Sequence, residues 1–309
     1  MPEARVIIQC RLSSFRLPGK ALLQVAGLPA IVLCASRATN RGGKVLVAIS
    51  DDPSDDSLSA ALERYHVPFS RGPLADVLGR FDLATRNLPD DALVVRLTGD
   101  NLVPDEDFVG EMLTVAAEQR LSYLGTDSPL DRLPYGLAAE VFPVKVLREA
   151  NAAATSSFDR EHVTPWIRRH VEPRCFTSKA VDQDFSHLRC TLDDFDDYIR
   201  LLALFSRVQD PTKAGWLELV QALAGMPGEP QSRVPFRIRD GVAHSEFTLG
   251  TAQLGMPYGI ANQQGMPSES DGFAIIRTAV ASGVTSADTA RGYGEAERRL
   301  GLAGAWKDR

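Results

Sequence analysis

Between residue 4 and about residue 125 short apolar runs alternate with longer amphipathic stretches, and this rhythm limits the fold more than any other feature of the sequence. Residues 6–10, 44–50, 68–70, 92–97 and 122–124 have the length and Val/Ile/Leu content of strands. Residues 30–39, 57–65, 76–86 and 105–118 have the spacing of helices. Strands alternating with helices predict an α/β fold, an open and mostly parallel sheet with helices on both faces. Runs such as KVLVAIS and ALVVRL, apolar at nearly every position, suit strands covered on both sides. Ligands in such sheets bind beyond the carboxyl ends of the strands. That rule collects residues 11–20, 50–52, 71–72 and 98–101 along one rim.

The first of these turns carries Arg11, Ser13, Ser14, Arg16 and Lys20 among small residues. Pro18 fixes its own φ and Gly19 relieves steric limits, so the loop can hold a set shape. Three cations and two hydroxyls on such a loop suit a polyphosphate. The GxxxxGK[ST] spacing of a P-loop is absent. Thr98-Gly99-Asp100-Asn101 follows the most apolar strand, and a carboxylate there, facing a phosphate loop, is placed to hold Mg²⁺ through oxygen.

Composition narrows the classes of partner. With 309 residues and a net charge of −6, the chain has room for one large domain or two and lacks the basic excess of a non-specific nucleic-acid binder. Cys10, Cys34, Cys175 and Cys190 form no CxxC pair, which argues against a zinc site or a disulfide framework. Cys10 and Cys34, in apolar segments, read as buried small hydrophobes. No apolar run reaches the length of a membrane span, and the amino terminus lacks the apolar region of a signal peptide. The expectation is a cytoplasmic enzyme with no nucleic-acid partner and no membrane insertion. A homodimer is one assembly the sequence leaves open.

Arg11-x-x-Ser14-x-Arg16-Leu17-Pro18-x-Lys20 after a first strand resembles the signature of the sugar-acid cytidylyltransferases. These are the acylneuraminate and 3-deoxy-manno-octulosonate enzymes, with the spore-coat polysaccharide (SpsF-type) branch most similar. The resemblance spans about residues 4–207 and implies a Rossmann-like, GT-A-like nucleotidyltransferase. It would transfer CMP from CTP to an acidic sugar, of nonulosonate or 3-deoxy-ulosonate type, and release pyrophosphate. Arg11, Arg16 and Lys20 would hold the phosphates, Ser13 and Ser14 would assist, and Asp100 would lie near ribose and metal. Arg71-Gly72, with Asp76-Val77-Leu78 and Arg80, resembles the family's FRG…DVLxR segment at the base end; Asp76 equally suits an N-cap. PYGLAAEVF from Pro134 resembles PDGLDVEVF, a segment that borders the acceptor sugar in that family, with Tyr135 and Ala138 in place of acids and Glu140 retained as an expected substrate contact. REHVTPW from Arg160 resembles REHVTPY and implies that Arg160 pairs with an acceptor carboxylate, with Glu161 and His162 either orienting it or capping the helix that follows. In LRCTLDDFDDY from Leu188, read as a late strand followed by a helix, Asp193 matches the second Mg²⁺ ligand. No residue stands out as a dedicated general base.

The Pro/Gly-rich MPGEPQSR from Met226 marks a boundary. The expected domains are 1–225 for nucleotide binding, a linker at 226–246, and 247–309. FTLGTAQLG from Phe247 and VTSADTARGYGEAE from Val284 resemble the opening of an aldo/keto reductase, with Asp288 and Tyr293 matching two of its catalytic tetrad. A full (β/α)₈ barrel takes about 250 residues, so the expectation is an incomplete barrel fragment from a two-domain fusion, without reductase activity. Two other readings of the chain remain at this point: a nucleotide-sugar-dependent glycosyltransferase, which shares this sheet, and a non-catalytic nucleotide-binding subunit.

Overall fold

The structure, a computed structural model, describes residues 2–14, 16–126, 130–226, 234, 236–239, 242–260, 262 and 264–304. The chain divides into two units, residues 1–226 and residues 227–309.

The first unit opens with β1 (Ala4–Gln9), a small antiparallel turn of β2 (Gln24–Val25) and β3 (Leu28–Pro29), and α1 (Ala30–Arg37). β4 (Val45–Ser50), α2 (Asp56–Arg64), β5 (Phe69–Gly72), α3 (Val77–Thr85), β6 (Leu93–Thr98) and α4 (Glu106–Glu118) continue the alternation. Then come β7 (Leu124–Gly125), β8 (Glu140–Pro143), α5 (Val144–Ala153), α6 (Ser157–His162), α7 (Pro165–His170) and β9 (Arg174–Cys175). α8 (Phe195–Phe205) and α9 (Trp216–Ala224) complete it.

Seven strands form one sheet in the order β5-β4-β1-β6-β8-β7-β9. β1 lies between parallel neighbours, with Ile8 opposite Val47 on β4 and Leu97 on β6. Ile7 and Ile8 point to opposite faces and both are fully buried, which is why this strand reads as a continuous apolar run. On one face Ile7, Ala48, Val94 and Phe142 pack with Val77, Leu78 and Phe81 of α3 and Val144, Leu147 and Ala150 of α5. The sheet is parallel from β5 to β6, as the alternation predicts. β8 then runs antiparallel to both β6 and β7.

Helix starts follow local chemistry. Asp76, Asp105 and Asp194 each accept a hydrogen bond from the backbone N–H three residues on, at 2.8, 2.9 and 2.9 Å. Asp105 also accepts from Trp216 N at 2.8 Å, so one carboxylate starts α4 and fixes α9. The late strand expected at 188–191 does not form. That stretch crosses the loops beyond the sheet and meets Tyr135 and Asn101 through single bridges, with no ladder to extend.

In the second unit β12 (Thr248–Gly250) and β13 (Ser286–Asp288) pair in parallel across α11 (Glu269–Ala281). A short α10 (Ala252–Gly255) and α12 (Ala296–Ala303) pack nearby, around buried Leu254, Ile276, Val280 and Ala296. Within this unit, ahead of β12, the segment read as linker carries a hairpin, β10 (Phe236–Arg239) with β11 (Val242–Ser245). Its period-two sequence about an Asp-Gly pair is a hairpin signal. Residues 227–233, the Pro/Gly-rich stretch itself, lie outside the described residues.

Candidate active site

A cavity of about 700 Å³ opens over the carboxyl ends of β1 and β6. Arg11, Ser13, Ser14, Arg16 and Lys20 line one side, Asp100 and Asp193 the floor, and Tyr135, Glu161 and His162 the far side. The loop after β1 is pinned from below. Cys10 N donates to Ala48 O at 3.1 Å, and Leu12 N donates to Asp55 Oδ1 at 2.7 Å. The other oxygen of buried Asp55 accepts from Ser50 N and Oγ at 3.0 and 2.5 Å. Gly19, at φ 71°, takes the left-handed conformation and donates back to Leu12 O at 3.1 Å. Its turn delivers Lys20 to the floor.

There Lys20 Nζ lies 2.6 Å from Asp100 Oδ2 and 3.1 Å from Asp193 Oδ1. Arg16 Nη2 reaches Asp193 Oδ1 at 2.7 Å, and Arg189 Nη2 reaches Oδ2 at 2.9 Å. Burial acts to push the Asp193 carboxyl up, but the Lys20 hydrogen bond and the charges of Lys20, Arg16 and Arg189 outweigh it and hold it below the ordinary carboxylate range. Arg189 is itself held by Asp197 at 2.7 and 2.9 Å and lies 4.9 Å above the Tyr135 ring. Gly136, at φ 102°, allows that approach; a Cβ there would lie 2.4 Å from Thr191 N. Cys10 and Cys34 are buried, and burial, reinforced by the charge of Asp100, pushes the Cys34 thiol up to about 12.

On the far side, Arg11 Nη2 pairs with Glu161 Oε1 at 2.9 Å. α6 ends abruptly at Val163, whose φ of 70° and ψ of −58° form a γ-turn closed by Thr164 N donating to His162 O at 2.8 Å. That conformation is rare and strained for a β-branched residue. It persists because the Val163 side chain is fully buried and Thr164 Oγ1 is held by Glu140 at 2.7 Å. The turn leaves Glu161 and His162 at the cavity.

Four expected site residues lie elsewhere. Arg71 binds Ser50 O, Asp52 O and Asp56 Oδ1 at 3.0, 3.0 and 2.8 Å, tying the turn after β4 to β5. Gly72 faces α3, where a Cβ would lie 2.8 Å from Arg80 Cγ. Glu140 is enclosed by Arg96, by Tyr123 Oη at 2.5 Å and by Thr164. Arg160 spends its fork on Asp76 and Asn151, with Nε 2.8 Å from Asp76 Oδ1, so it cannot also meet an acceptor carboxylate. In each case a partner inside the chain satisfies the group. The sequence reading missed Asp55 and Arg189. Asp55 lies in the acidic run DDPSDD with nothing to separate it from its neighbours; Arg189 has a visible signal, its spacing of four and eight from Asp193 and Asp197.

The donors on the floor can be tested against a metal. Asp100 and Asp193 present converging carboxylate oxygens, and the Lys20 ammonium between them shows that the gap accepts a cation. Hard oxygen ligands fit Mg²⁺, which also keeps waters and substrate phosphate in its shell. Among the described residues no group of three or more His, Cys, Asp or Glu gathers as a self-sufficient metal site. The two carboxylates therefore fit a metal that arrives with its nucleotide.

A strand-end cavity of this kind, with a cationic loop over paired carboxylates, is that of a nucleotidyltransferase. Residues 5–210 match the cytidylyltransferase family, and the chain belongs to it, as a CTP-dependent nucleotidyltransferase enzyme. It is 26% identical over 242 residues to the spore coat polysaccharide biosynthesis protein SpsF of Bacillus subtilis (strain 168), covering 75% of this chain and 99% of that protein. An uncharacterized protein of Methanocaldococcus jannaschii, MJ1063, is 29% identical over 208 residues, 64% of this chain and 81% of that protein. A solved cytidylyltransferase from Leptospira borgpetersenii superposes with a TM-score of 0.65 at 20% identity, over 74% of this chain and 99% of that one. CMP:2-keto-3-deoxy-manno-octonic acid synthetase, solved with CTP, shares the fold at a TM-score of 0.50 and 17% identity, over 66% of this chain and 99% of that one.

Proposed function

We propose that the protein transfers CMP from CTP to a sugar acid of the nonulosonate or 3-deoxy-ulosonate type, releasing pyrophosphate, for a surface polysaccharide or glycan. One observation carries the reading: Arg16 and Lys20 of the first loop converge on Asp100 and Asp193, with Arg11 lining the same cavity. The sugar-acid acceptor rests on the resemblance of the 134–142 and 160–166 segments to the sugar-acid enzymes. The polysaccharide destination rests on the likeness to SpsF.

The triphosphate lies along the loop, its charge met by Arg11, Arg16 and Lys20. Asp100 and Asp193 would hold Mg²⁺, which would supply charge neutralisation at the phosphates, and Lys20, now held by the two carboxylates, would then be free to meet the triphosphate. The acceptor hydroxyl, seated between Tyr135 and the Glu161–His162 turn, forms the new bond to the α-phosphorus and gives up its proton to solvent in the open cavity. The bond from the α-phosphorus to the bridging oxygen of the β-phosphate breaks, and pyrophosphate leaves with those electrons. Catalysis is then mainly positioning and charge neutralisation, as phosphoryl chemistry allows. The second unit is read as the opening βαβ of an aldo/keto reductase that would act on a related sugar.

The test is pyrophosphate release from CTP and Mg²⁺ with and without an acidic sugar. Release that requires both supports the reading. Nucleotide binding with no release under any acceptor would make the chain a binding subunit, and turnover of a nucleotide-sugar in place of CTP would make it a glycosyltransferase.

A further inference from the structure

Three cations bear on the Asp193 carboxylate, and they reach it from two sides. Lys20 and Arg16 meet Oδ1, at 3.1 and 2.7 Å, and both line the cavity. Arg189 meets Oδ2 at 2.9 Å and is not among the described residues that line it. Arg16 is 61% exposed and Lys20 also holds Asp100, so both can exchange Asp193 for a ligand. Arg189 cannot. Its Nε lies 2.7 Å from Asp197 Oδ1 and its Nη2 2.9 Å from Asp197 Oδ2. The Tyr135 ring covers one face of the same guanidinium, 4.9 Å from its centre. A planar fork engaged along an edge and covered on a face is a fixed part of the wall.

That fixture is anchored in turn. Asp197 is 2% exposed; its N donates to Asp194 Oδ1 at 2.9 Å where α8 starts, and its Oδ2 accepts from Asp193 N at 3.0 Å. The first turn of α8 therefore holds Asp193 twice, through its backbone N–H and, by way of Arg189, through Oδ2. The Tyr135 side is equally set. Tyr135 N donates to Leu188 O at 2.9 Å and Cys190 N to Tyr135 O at 2.8 Å, on either side of Arg189 in the chain. An ordinary ion pair leaves a carboxylate free to turn about its last torsion. This one does not.

We propose that Arg189 is a positioning residue of the active site: it keeps Oδ2 of Asp193 engaged, so that Oδ1 alone is offered to the metal that arrives with the nucleotide. This rests on the nucleotidyltransferase reading above. Lys20 and Arg16 leave Oδ1 for the triphosphate, while Arg189 stays on Oδ2. The carboxylate is then aimed before the metal comes, and partners that orient a metal ligand in this way govern its affinity. Arg189 and Asp197 together are neutral, so the pair orients Asp193 without setting a net positive charge against the metal.

The experiment measures Mn²⁺ binding, as a probe for the divalent metal, from the paramagnetic resonance of the free ion with and without CTP. Metal-free binding of inorganic tripolyphosphate is measured by calorimetry on the same proteins: the full chain, R189M, R189K and D193N. The wild type should bind Mn²⁺ more tightly with CTP than without, and D193N should lose most of that gain. R189M should weaken Mn²⁺ binding in the presence of CTP by about tenfold or more, while tripolyphosphate binding stays within about twofold of wild type. R189K keeps the charge without the fork and should fall in between; it decides the matter if R189M does not fold. Wild-type Mn²⁺ affinity in the Arg189 variants would overturn the assignment. So would an equal loss of Mn²⁺ and tripolyphosphate binding, which would make Arg189 a support of the whole cavity. Wild-type Mn²⁺ affinity in D193N would overturn it too and leave the phosphate site standing. Failure of the wild type to bind either CTP or tripolyphosphate would instead overturn the nucleotidyltransferase reading, and this assignment with it.

Discussion

The first unit holds two networks of charge that differ in one respect. Around Asp193, Lys20 and Arg16 meet a carboxylate at the wall of an open cavity, and Arg16 is more than half exposed. Around Glu140, Arg96, Tyr123 and Thr164 enclose a carboxylate from which the cavity is excluded. The first network can trade its internal partners for a ligand. The second has no face left to trade. An ion pair at a cavity wall is thus a provisional arrangement, and the same chemistry a strand away is scaffold.

Asp193→Asn should break the open network with the largest functional effect. It removes one anionic oxygen where the phosphate charge must be balanced and keeps the side chain's shape. Turnover should fall by about a hundredfold or more, the scale on which single electrostatic contacts act in transition states. Arg189 keeps Asp197 and Lys20 keeps Asp100, so the melting temperature should move little. Asp100→Asn should do the same. Near wild-type pyrophosphate release from Asp193→Asn would show that Asp193 only orders the approach to α8.

Glu140→Gln should instead cost stability. Removing one member of a buried pair leaves Arg96 uncompensated, and a loss of about 3 kcal/mol is expected in urea unfolding. The pH dependence has a definite sign. Burial acts to raise the Glu140 carboxyl, but the Arg96 charge and the hydrogen bonds from Tyr123 and Thr164 outweigh it and hold it below its ordinary value. A depressed carboxyl contributes stability that is fully present above the unfolded value, about 4.3. That contribution is lost as pH falls through the lower folded value. The wild type should therefore lose stability below about pH 4, and the variant should show a shallower slope there. Equal slopes would mean that Glu140 is not the titrating group.

These two networks also show what a sequence can carry. The alternation from residue 4 to 125 made the parallel sheet legible, because strands buried on both faces must be apolar at successive positions. The loop Arg11–Lys20 and Asp100 were legible because strand ends converge by topology alone. Arg71, Glu140 and Arg160 were not, since their partners Asp56, Arg96 and Asp76 lie 15, 44 and 84 residues away. Nothing local announces that a charge is already spent. β8 was missed for a related reason: EVFP is four residues long and begins with the glutamate that its neighbours neutralise.

Arg160→Lys should sharpen the contrast with a smaller effect. Its fork links the start of α3 to α6 through Asp76, and a lysine keeps the charge but loses the two-pronged contact. The pair is partly exposed, so a loss of about 1 kcal/mol is expected. The acceptor KM should stay within about twofold, because Arg160 does not reach the cavity and uniform binding is unchanged. A large rise in that KM with unaltered stability would return Arg160 to the acceptor site.

The smallest effect is expected in the second unit, where the open network of the first has no counterpart among the described residues. Among the described residues β12 and β13 give it one parallel βαβ element, whereas a barrel needs strands hydrogen-bonded all the way round. Asp288 ends β13 and is exposed, and Tyr293 lies in the turn before α12. Tyr293 has no lysine hydrogen-bonded to it among the described residues. Tyr293→Phe should accordingly leave both pyrophosphate release and NADPH fluorescence unchanged. Saturable NADPH binding that Tyr293→Phe or removal of residues 247–309 abolishes would show that this short element already grips a nicotinamide cofactor, and the division of labour between the two units would have to be redrawn.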